Sequence, residues 1–141
     1  MAHKDAGRAL VLGVGNILMG DEGLGVRVVE LFERDYDLPE GVACVDGGVA
    51  GVSLSGYFKD YTHIIIVDAV SSGAAPATIH CFRDTEIKDI PPTATTAHQV
   101  GIKELIAISR FEGACPDIVL IGIVPRDISF SMGLTPSVEA A

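Results

Sequence analysis

The sequence of 141 residues has only three cysteines and few basic residues, and each shortage excludes a class of protein. Ten Lys and Arg stand against 19 Asp and Glu, and the formal charge of −9 repels phosphate backbones and anionic lipid headgroups. We therefore expect neither nucleic acid nor a membrane as a partner. Three cysteines without regular spacing do not form the framework of a disulfide-rich domain.

The sequence also lacks long apolar runs. The most apolar stretch, at 64–67, meets a charged residue long before the roughly 20 residues that a membrane span requires. The amino terminus carries His3, Lys4 and Asp5 where a signal peptide would have an apolar segment. We therefore expect a soluble protein of the cytoplasm, where thiols stay reduced.

What the sequence does contain is the pattern of buried parallel strands. Several short apolar runs are nearly unbroken and rich in β-branched residues, which is typical of strands that are covered on both faces. A more openly alternating segment at 78–83 predicts an edge strand, for which an antiparallel direction is an option. The predicted buried strands are 9–14, 42–45, 64–67 and 118–124.

Predicted helices alternate with these strands. Apolar residues recur at helical spacing over about 22–36 and 98–110, and a shorter helix is predicted over 52–59. Repeated β-α-β units with right-handed crossovers form a three-layer α/β/α sandwich around a mostly parallel twisted sheet. The length fits a single α/β domain over 1–141, with a loop at 91–96.

Carboxylates follow two of the predicted strands, at the sheet edge where α/β proteins place their sites. Asp46, taken alone, fits a residue that forms a turn. Asp68 follows the most apolar strand, where a carboxylate needs a partner or a metal to offset its desolvation. Glu22 lies in the loop after the first strand, where a helix is predicted to begin.

His98 lies at the predicted start of another helix. The helix dipole disfavours imidazolium there, so a ring nitrogen can keep its lone pair for a metal, although an ordinary exposed histidine is the equal alternative. Together, Glu22, Asp68 and His98 supply two oxygen ligands and one nitrogen ligand with positions left open. This donor set is typical of a catalytic metal site, provided that the predicted fold brings the three loops together.

The glycine-rich segment after the first strand allows a second interpretation. Gly13 and Gly15 begin a pattern similar to a dinucleotide-binding turn, but the third glycine position is Leu18. Asp21 and Glu22 would also repel a pyrophosphate, and Asp21 is more simply a carboxylate that stabilises the helix dipole. A nucleotide-binding oxidoreductase and a non-catalytic metal-binding module or chaperone remain as alternatives.

The segment 13–27, Gly-Val-Gly-Asn-Ile-Leu-Met-Gly-Asp-Glu-Gly-Leu-Gly-Val-Arg, resembles the opening of the nickel-iron hydrogenase maturation endopeptidases. Motifs at 46–48, 66–69, 96–99 and 133–136 follow in that family's order and approximate spacing, so that the resemblance covers nearly the whole chain. It implies a protease that removes the C-terminal extension of the hydrogenase large-subunit precursor after nickel has been inserted.

The resemblance also implies the roles of individual residues. The family's metal-contacting positions match Glu22, Asp68 and His98, and we expect the precursor to present the nickel while the resting protein holds it weakly or not at all. Because no serine or cysteine has the setting of a nucleophile, we expect metal and carboxylates to do the chemistry. Asp46 is our hypothesis for the catalytic residue that orients water or acts as the base.

Two positions depart from the family's pattern. Val49 replaces the threonine that commonly follows the Asp-Gly-Gly turn, which leaves open which hydrogenase is processed. Thr135 and Pro136 predict a helix start near the end of the chain, where family members usually continue. We therefore expect the chain to lack the family's C-terminal helix.

Overall fold

A twisted sheet of five strands in the order β2-β1-β3-β5-β4 forms the centre of the molecule. The computed structural model describes the backbone of residues 7–87 and 97–141, and their side chains except those at 51, 52 and 97–101. β4 runs antiparallel to β5 at the edge, and the other neighbouring strands are parallel, as predicted. The strands are β1 Ala9–Val14, β2 Val42–Gly48, β3 His63–Ala69, β4 Ile79–Arg83 and β5 Asp117–Ile123.

Helices cover both faces of this sheet, which confirms the predicted three-layer α/β/α architecture. One face packs against α1 and α4, and the other against α3 and a 3₁₀ segment; we call these the α1 face and the α3 face. No helix in the described part of the chain is long and apolar enough to cross a membrane. The α-helices are α1 Leu24–Asp35, α2 Asp84–Ile87, α3 Ala97–Phe111 and α4 Pro136–Glu139, and the 3₁₀ segments are Gly20–Gly23 and Gly51–Lys59.

Alternation along the strands divides the core between the two faces. On the α3 face, Leu12 of β1 and Ile66 of β3 pack with Leu105 of α3. On the α1 face, Val67 of β3 packs with Leu24 of α1. Each central strand therefore buries both of its faces, which is why its sequence is an unbroken apolar run.

Some elements differ from their predicted bounds. β2 and β3 extend past the apolar runs, so that Asp46 and Asp68 lie inside strands rather than after them. The reason is that their backbones still pair with neighbouring strands, at Gly13 and Gly122 respectively. The helix predicted at 52–59 is a 3₁₀ segment. The predicted loop at 91–96 lies outside the described residues.

The direction of α3 decides which end of it lies near the site. α3 ends at Phe111, and a short connection leads to the start of β5 at Asp117, so its last turn lies at the amino edge of the parallel strands. An ion pair between Arg110 and Asp84 also fixes this end. Fifteen residues at about 1.5 Å each span the height of the sheet. The first turn of α3 therefore lies at the carboxyl edge.

Candidate active site

Two carboxylates are buried together at the carboxyl edge of the sheet. Asp68 of β3 is fully buried, and its Oδ1 accepts a hydrogen bond of 2.8 Å from the N–H of Ala69. Glu22 is 5% exposed and belongs to the 3₁₀ segment before α1. Burial raises the pKa of Asp68 well above its usual range, the bond from Ala69 opposes this, and the charge of Glu22 raises the pKa further. The structure thus brings Glu22 and Asp68 together.

This pair has a consequence for ligand binding. Two carboxylates in a buried setting repel each other more strongly than they would in water, because the local dielectric constant is low. A divalent cation beside the two carboxylates offsets this repulsion between them. The chemistry of Glu22 and Asp68 therefore fits hard oxygen ligands, as the sequence predicts.

The backbone of His98 lies at the same edge of the sheet. It is the second residue of α3, whose first turn lies at the carboxyl edge on the α3 face. Asp68 shares that face, because it alternates with Ile64 and Ile66, which pack in the same core as α3. The side chain of His98 lies outside the described part, so its contact with the carboxylates stays a prediction. Among the described side chains, no three His, Cys, Asp or Glu residues group closely enough to hold a metal ion.

Asp46 has a different placement. Gly13 of β1 pairs with Asp46 on one side and with Val67 on the other, so Asp46 leaves the sheet on the α1 face, opposite to Asp68. One strand separates the two residues, which places their backbones roughly 10 Å apart. Asp46 is exposed, and its Oδ1 accepts a hydrogen bond of 2.9 Å from the N–H of Gly48. Its observed contact shapes the turn after β2, and its catalytic role stays a prediction.

The glycines of the first loop serve the close packing of α1. A Cβ on Gly25 would lie 2.1 Å from the carbonyl oxygen of Val67 and 2.3 Å from that of Val14. Gly15 has a φ of +147°, and a Cβ there would lie 2.0 Å from the carbonyl oxygen of Glu22. The chain's own backbone therefore fills the space that these glycines open. Close helix packing explains the glycine pattern without a nucleotide and holds Glu22 against the sheet.

Asp21 is a structural anchor that the sequence interpretation missed. The sequence predicts only a carboxylate that stabilises the helix dipole, whereas the structure buries Asp21 completely beside Glu22. Its Oδ2 accepts hydrogen bonds from the N–H groups of Arg126 at 2.8 Å and Asp127 at 3.1 Å, and Thr135 donates two more. Burial acts to raise the pKa of Asp21, but these bonds outweigh it and leave the pKa lowered. The partners are more than 100 residues away, so no local pattern reveals them.

Backbone hydrogen bonds continue this contact along the loop. Gly20 donates to the carbonyl of Ser131 at 2.7 Å, and Ser131 donates to the carbonyl of Leu18 at 2.9 Å. The N–H of Asp21 donates to the carbonyl of Asp127 at 2.9 Å. The segment 126–135 is therefore fastened along the loop that carries Glu22, and it forms a wall next to the site.

A family profile described as hydrogenase maturation protease matches residues 26–141. The chain belongs to this family. Hydrogenase 2 maturation protease of Escherichia coli K12 is 44% identical over 135 residues, which are 94% of this chain and 82% of that protein. The hydrogenase expression/formation protein HupD of Bradyrhizobium diazoefficiens is 41% identical over 135 residues, covering 94% of this chain and 70% of that protein.

Solved structures of hydrogenase maturation proteases have the same fold. The hydrogenase maturating endopeptidase HybD of E. coli superposes with a TM-score of 0.88 at 44% identity, over 94% of this chain and 83% of that one. The hydrogenase 2 maturation peptidase of Thaumarchaeota archaeon SCGC_AB-539-E09 has a TM-score of 0.71 at 35% identity, over 94% and 89% of the two chains. The resemblance seen in the sequence is confirmed, and the protein is a hydrolase of the endopeptidase class.

Proposed function

We propose that this protease removes the C-terminal extension of the nickel-iron hydrogenase large-subunit precursor once nickel has been inserted, and that it recognises the nickel as part of the precursor. The observation that carries this proposal is the pair of buried carboxylates, Glu22 and Asp68, at the carboxyl edge of a maturation-protease fold. Family membership supports the peptide-bond cleavage, and the paired carboxylates support recognition of a cation.

The donor set favours nickel that arrives with the substrate. Glu22, Asp68 and His98 are two carboxylates and one imidazole, which form an open and weak site for a borderline metal when no thiolate takes part. Soft cysteine ligands on the precursor hold nickel better. Such a protease adds ligands to nickel that the precursor already holds and binds the free metal only weakly. It therefore distinguishes nickel-loaded from nickel-free precursor. The contact that recognises the precursor then also checks that nickel has been inserted.

Asp68 is a buried carboxyl group that a cation on the precursor would stabilise. Burial and the neighbouring charge of Glu22 favour the protonated form of Asp68 relative to an ordinary carboxyl. A cation brought by the precursor favours the carboxylate form of Asp68 and so offsets the cost of burying its charge. β3 is a central strand paired with β1 and β5, so Asp68 is positioned by the sheet and can hold the bound precursor with its scissile bond at one place. Nickel, when bound, supplies charge stabilisation for the developing oxyanion.

For the base that activates water, Asp46 is our candidate from the sequence. Its exposed carboxylate supports this role, whereas its position on the α1 face supports a role in shaping the turn at Gly48. The variant Asp46→Asn separates the two roles, because the asparagine Oδ1 can still accept the bond from Gly48 but cannot take a proton. Loss of cleavage with normal precursor binding would identify Asp46 as the base. Normal cleavage would show that Asp46 only shapes the turn.

The test of the whole proposal compares precursor with and without nickel. Purified protease is incubated with each form, and the mass of the large subunit is followed over time. We expect nickel-loaded precursor to lose its C-terminal extension and nickel-free precursor to keep it. Trimming of both forms at equal rates would contradict nickel recognition. Binding without any loss of mass would instead identify a non-catalytic binding module.

A further inference from the structure

Three large apolar side chains stand exposed on the wall next to the site. Phe130 is 82% exposed, Met132 is 70% exposed and Leu18 is 43% exposed. We call these three residues the apolar rim. Single exposed apolar residues are ordinary on a protein surface, but a group of them in one place marks a surface for interaction. The question is whether the rim is a fixed group and what covers it.

Hydrogen bonds hold the rim in one arrangement. Ser131 lies between Phe130 and Met132, and its backbone exchanges hydrogen bonds with Leu18 and Gly20. Asp21 fastens the segment on both sides of the rim, at Arg126 and at Thr135. A surface that is already ordered loses little conformational entropy when a partner binds. The rim is therefore an ordered surface rather than part of a loose loop.

The rim also lies within reach of the site. Leu18 precedes Glu22 by four residues, so their Cα atoms are at most about 15 Å apart. A stable protein–protein interface covers about 800 Å² on each partner, which corresponds to a disc of about 16 Å radius. A folded protein substrate whose interface is centred on Glu22 would therefore cover Leu18, together with the loop that is bonded to it.

We propose that the apolar rim of Leu18, Phe130 and Met132 is the docking surface for the hydrogenase large-subunit precursor, and that it binds an apolar patch on the folded precursor beside the extension. This inference rests on the proposed function, because it takes the precursor as the occupant. It assigns the recognition of nickel to the buried carboxylates and most of the affinity for protein to the rim. Removing the rim then weakens binding and leaves the chemistry intact.

The test uses Phe130→Ser, Met132→Ser and the double variant, with Phe111→Ser as the matched control. Phe111 is 93% exposed and ends α3 at the opposite edge of the sheet, so it shares the chemistry of Phe130 but not its place. With nickel-loaded precursor, we expect KM to rise about tenfold or more in the double variant, as for the loss of buried anchor residues. We expect kcat at saturating precursor to stay within about twofold, and the control to match the wild-type protein.

A second measurement does not depend on activity. Met132 is exposed enough to be oxidised by dilute hydrogen peroxide, and its sulfoxide is counted by mass spectrometry. We expect nickel-loaded precursor to protect Met132 and to leave a control methionine peptide from an unrelated protein oxidised. An unchanged KM in the double variant, or Met132 left unprotected, would overturn the docking surface. If the wild-type protein fails to trim the precursor at all, the proposed function itself fails, which is a different result.

Discussion

Thr135 donates two hydrogen bonds of 2.7 Å to Asp21, from its N–H to Oδ1 and from its Oγ1 to Oδ2. The two residues are 114 positions apart in the sequence. Thr135 is also the N-cap residue of α4, yet its side chain makes no capping bond there, and its hydroxyl instead donates a hydrogen bond to Asp21. One buried carboxylate thus connects the start of the last helix to the turn that carries Glu22.

The first prediction concerns the stability that Asp21 provides. In Asp21→Asn, an NH2 group replaces one carboxylate oxygen and faces the backbone or hydroxyl donors of Arg126, Asp127 and Thr135. We expect the free energy of unfolding to fall by about 2 to 4 kcal/mol, because buried donors lose their acceptor. Urea unfolding measures this. Asp37→Asn, at an exposed loop position, is the control and should change stability little.

The second prediction is the pH dependence of the same contact. The pKa of Asp21 is lowered from its ordinary 3.8 in the folded protein, because bonds to the charged form outweigh burial. Its contribution is fully present above the pKa of the unfolded chain and is lost as the pH falls through the folded pKa. The stability difference between the wild-type protein and Asp21→Asn should therefore be greatest near neutral pH and shrink below about pH 4. A stability difference that grows on acidification would contradict a lowered pKa for Asp21 in the folded protein.

The third prediction tests the proposed metal-contacting residues. Glu22→Gln, Asp68→Asn and His98→Ala should each slow trimming of nickel-loaded precursor by at least about a hundredfold, the scale expected when a positioning or charge-stabilising group is removed. Thermal unfolding should show that all three variants stay folded, because Gln and Asn keep the shape of the buried Glu22 and Asp68 side chains and no substitution removes an apolar core residue. Global unfolding of all three would support purely structural roles.

The fourth prediction is that Asp68 costs stability at neutral pH. The pKa of Asp68 is raised above 3.8 in the folded state, so ionising its buried carboxyl group lowers the free energy of unfolding. This loss is absent below the pKa of the unfolded chain and grows as the pH rises towards the folded pKa. Asp68→Asn keeps an oxygen for the N–H of Ala69 and removes the charge. It should therefore be more stable than the wild-type protein at pH 8, and the two should converge near pH 4. Equal pH profiles would contradict a buried, strained carboxyl group.

The sequence was sufficient for the architecture and for the edge of the sheet at which Glu22 and Asp68 lie. β1 begins and ends where it was predicted, because a strand buried on both faces is an unbroken apolar run. Glu22 and Asp68 could be expected to meet, since the carboxyl ends of parallel strands share one edge. The end of β3 was misjudged because Asp68 is a charged residue inside a buried strand.

Two features of the site could not be predicted from local patterns. The face on which Asp46 lies depends on the register of β2, and a shift of one residue reverses it. The role of Asp21 depends on donors from residues 126–135, which only the folded chain brings near. Both depend on long-range pairing, for which spacing along the sequence carries no signal.

The last prediction concerns Gly25, which lets α1 approach the sheet. In Gly25→Ala, the new Cβ would meet the carbonyl oxygens of Val67 and Val14, and neither backbone can yield without moving β3 or β1. We expect a loss of about 3 kcal/mol or more in the free energy of unfolding, together with loss of trimming, because the 3₁₀ segment that carries Glu22 leads directly into α1. Gly56→Ala is the matched control: no atom lies within 4 Å of its Cβ, so stability should be unchanged or rise by about 0.4 to 1 kcal/mol. If both variants unfold at the wild-type midpoint, the helix is not held by this contact, and the position of Glu22 needs another explanation.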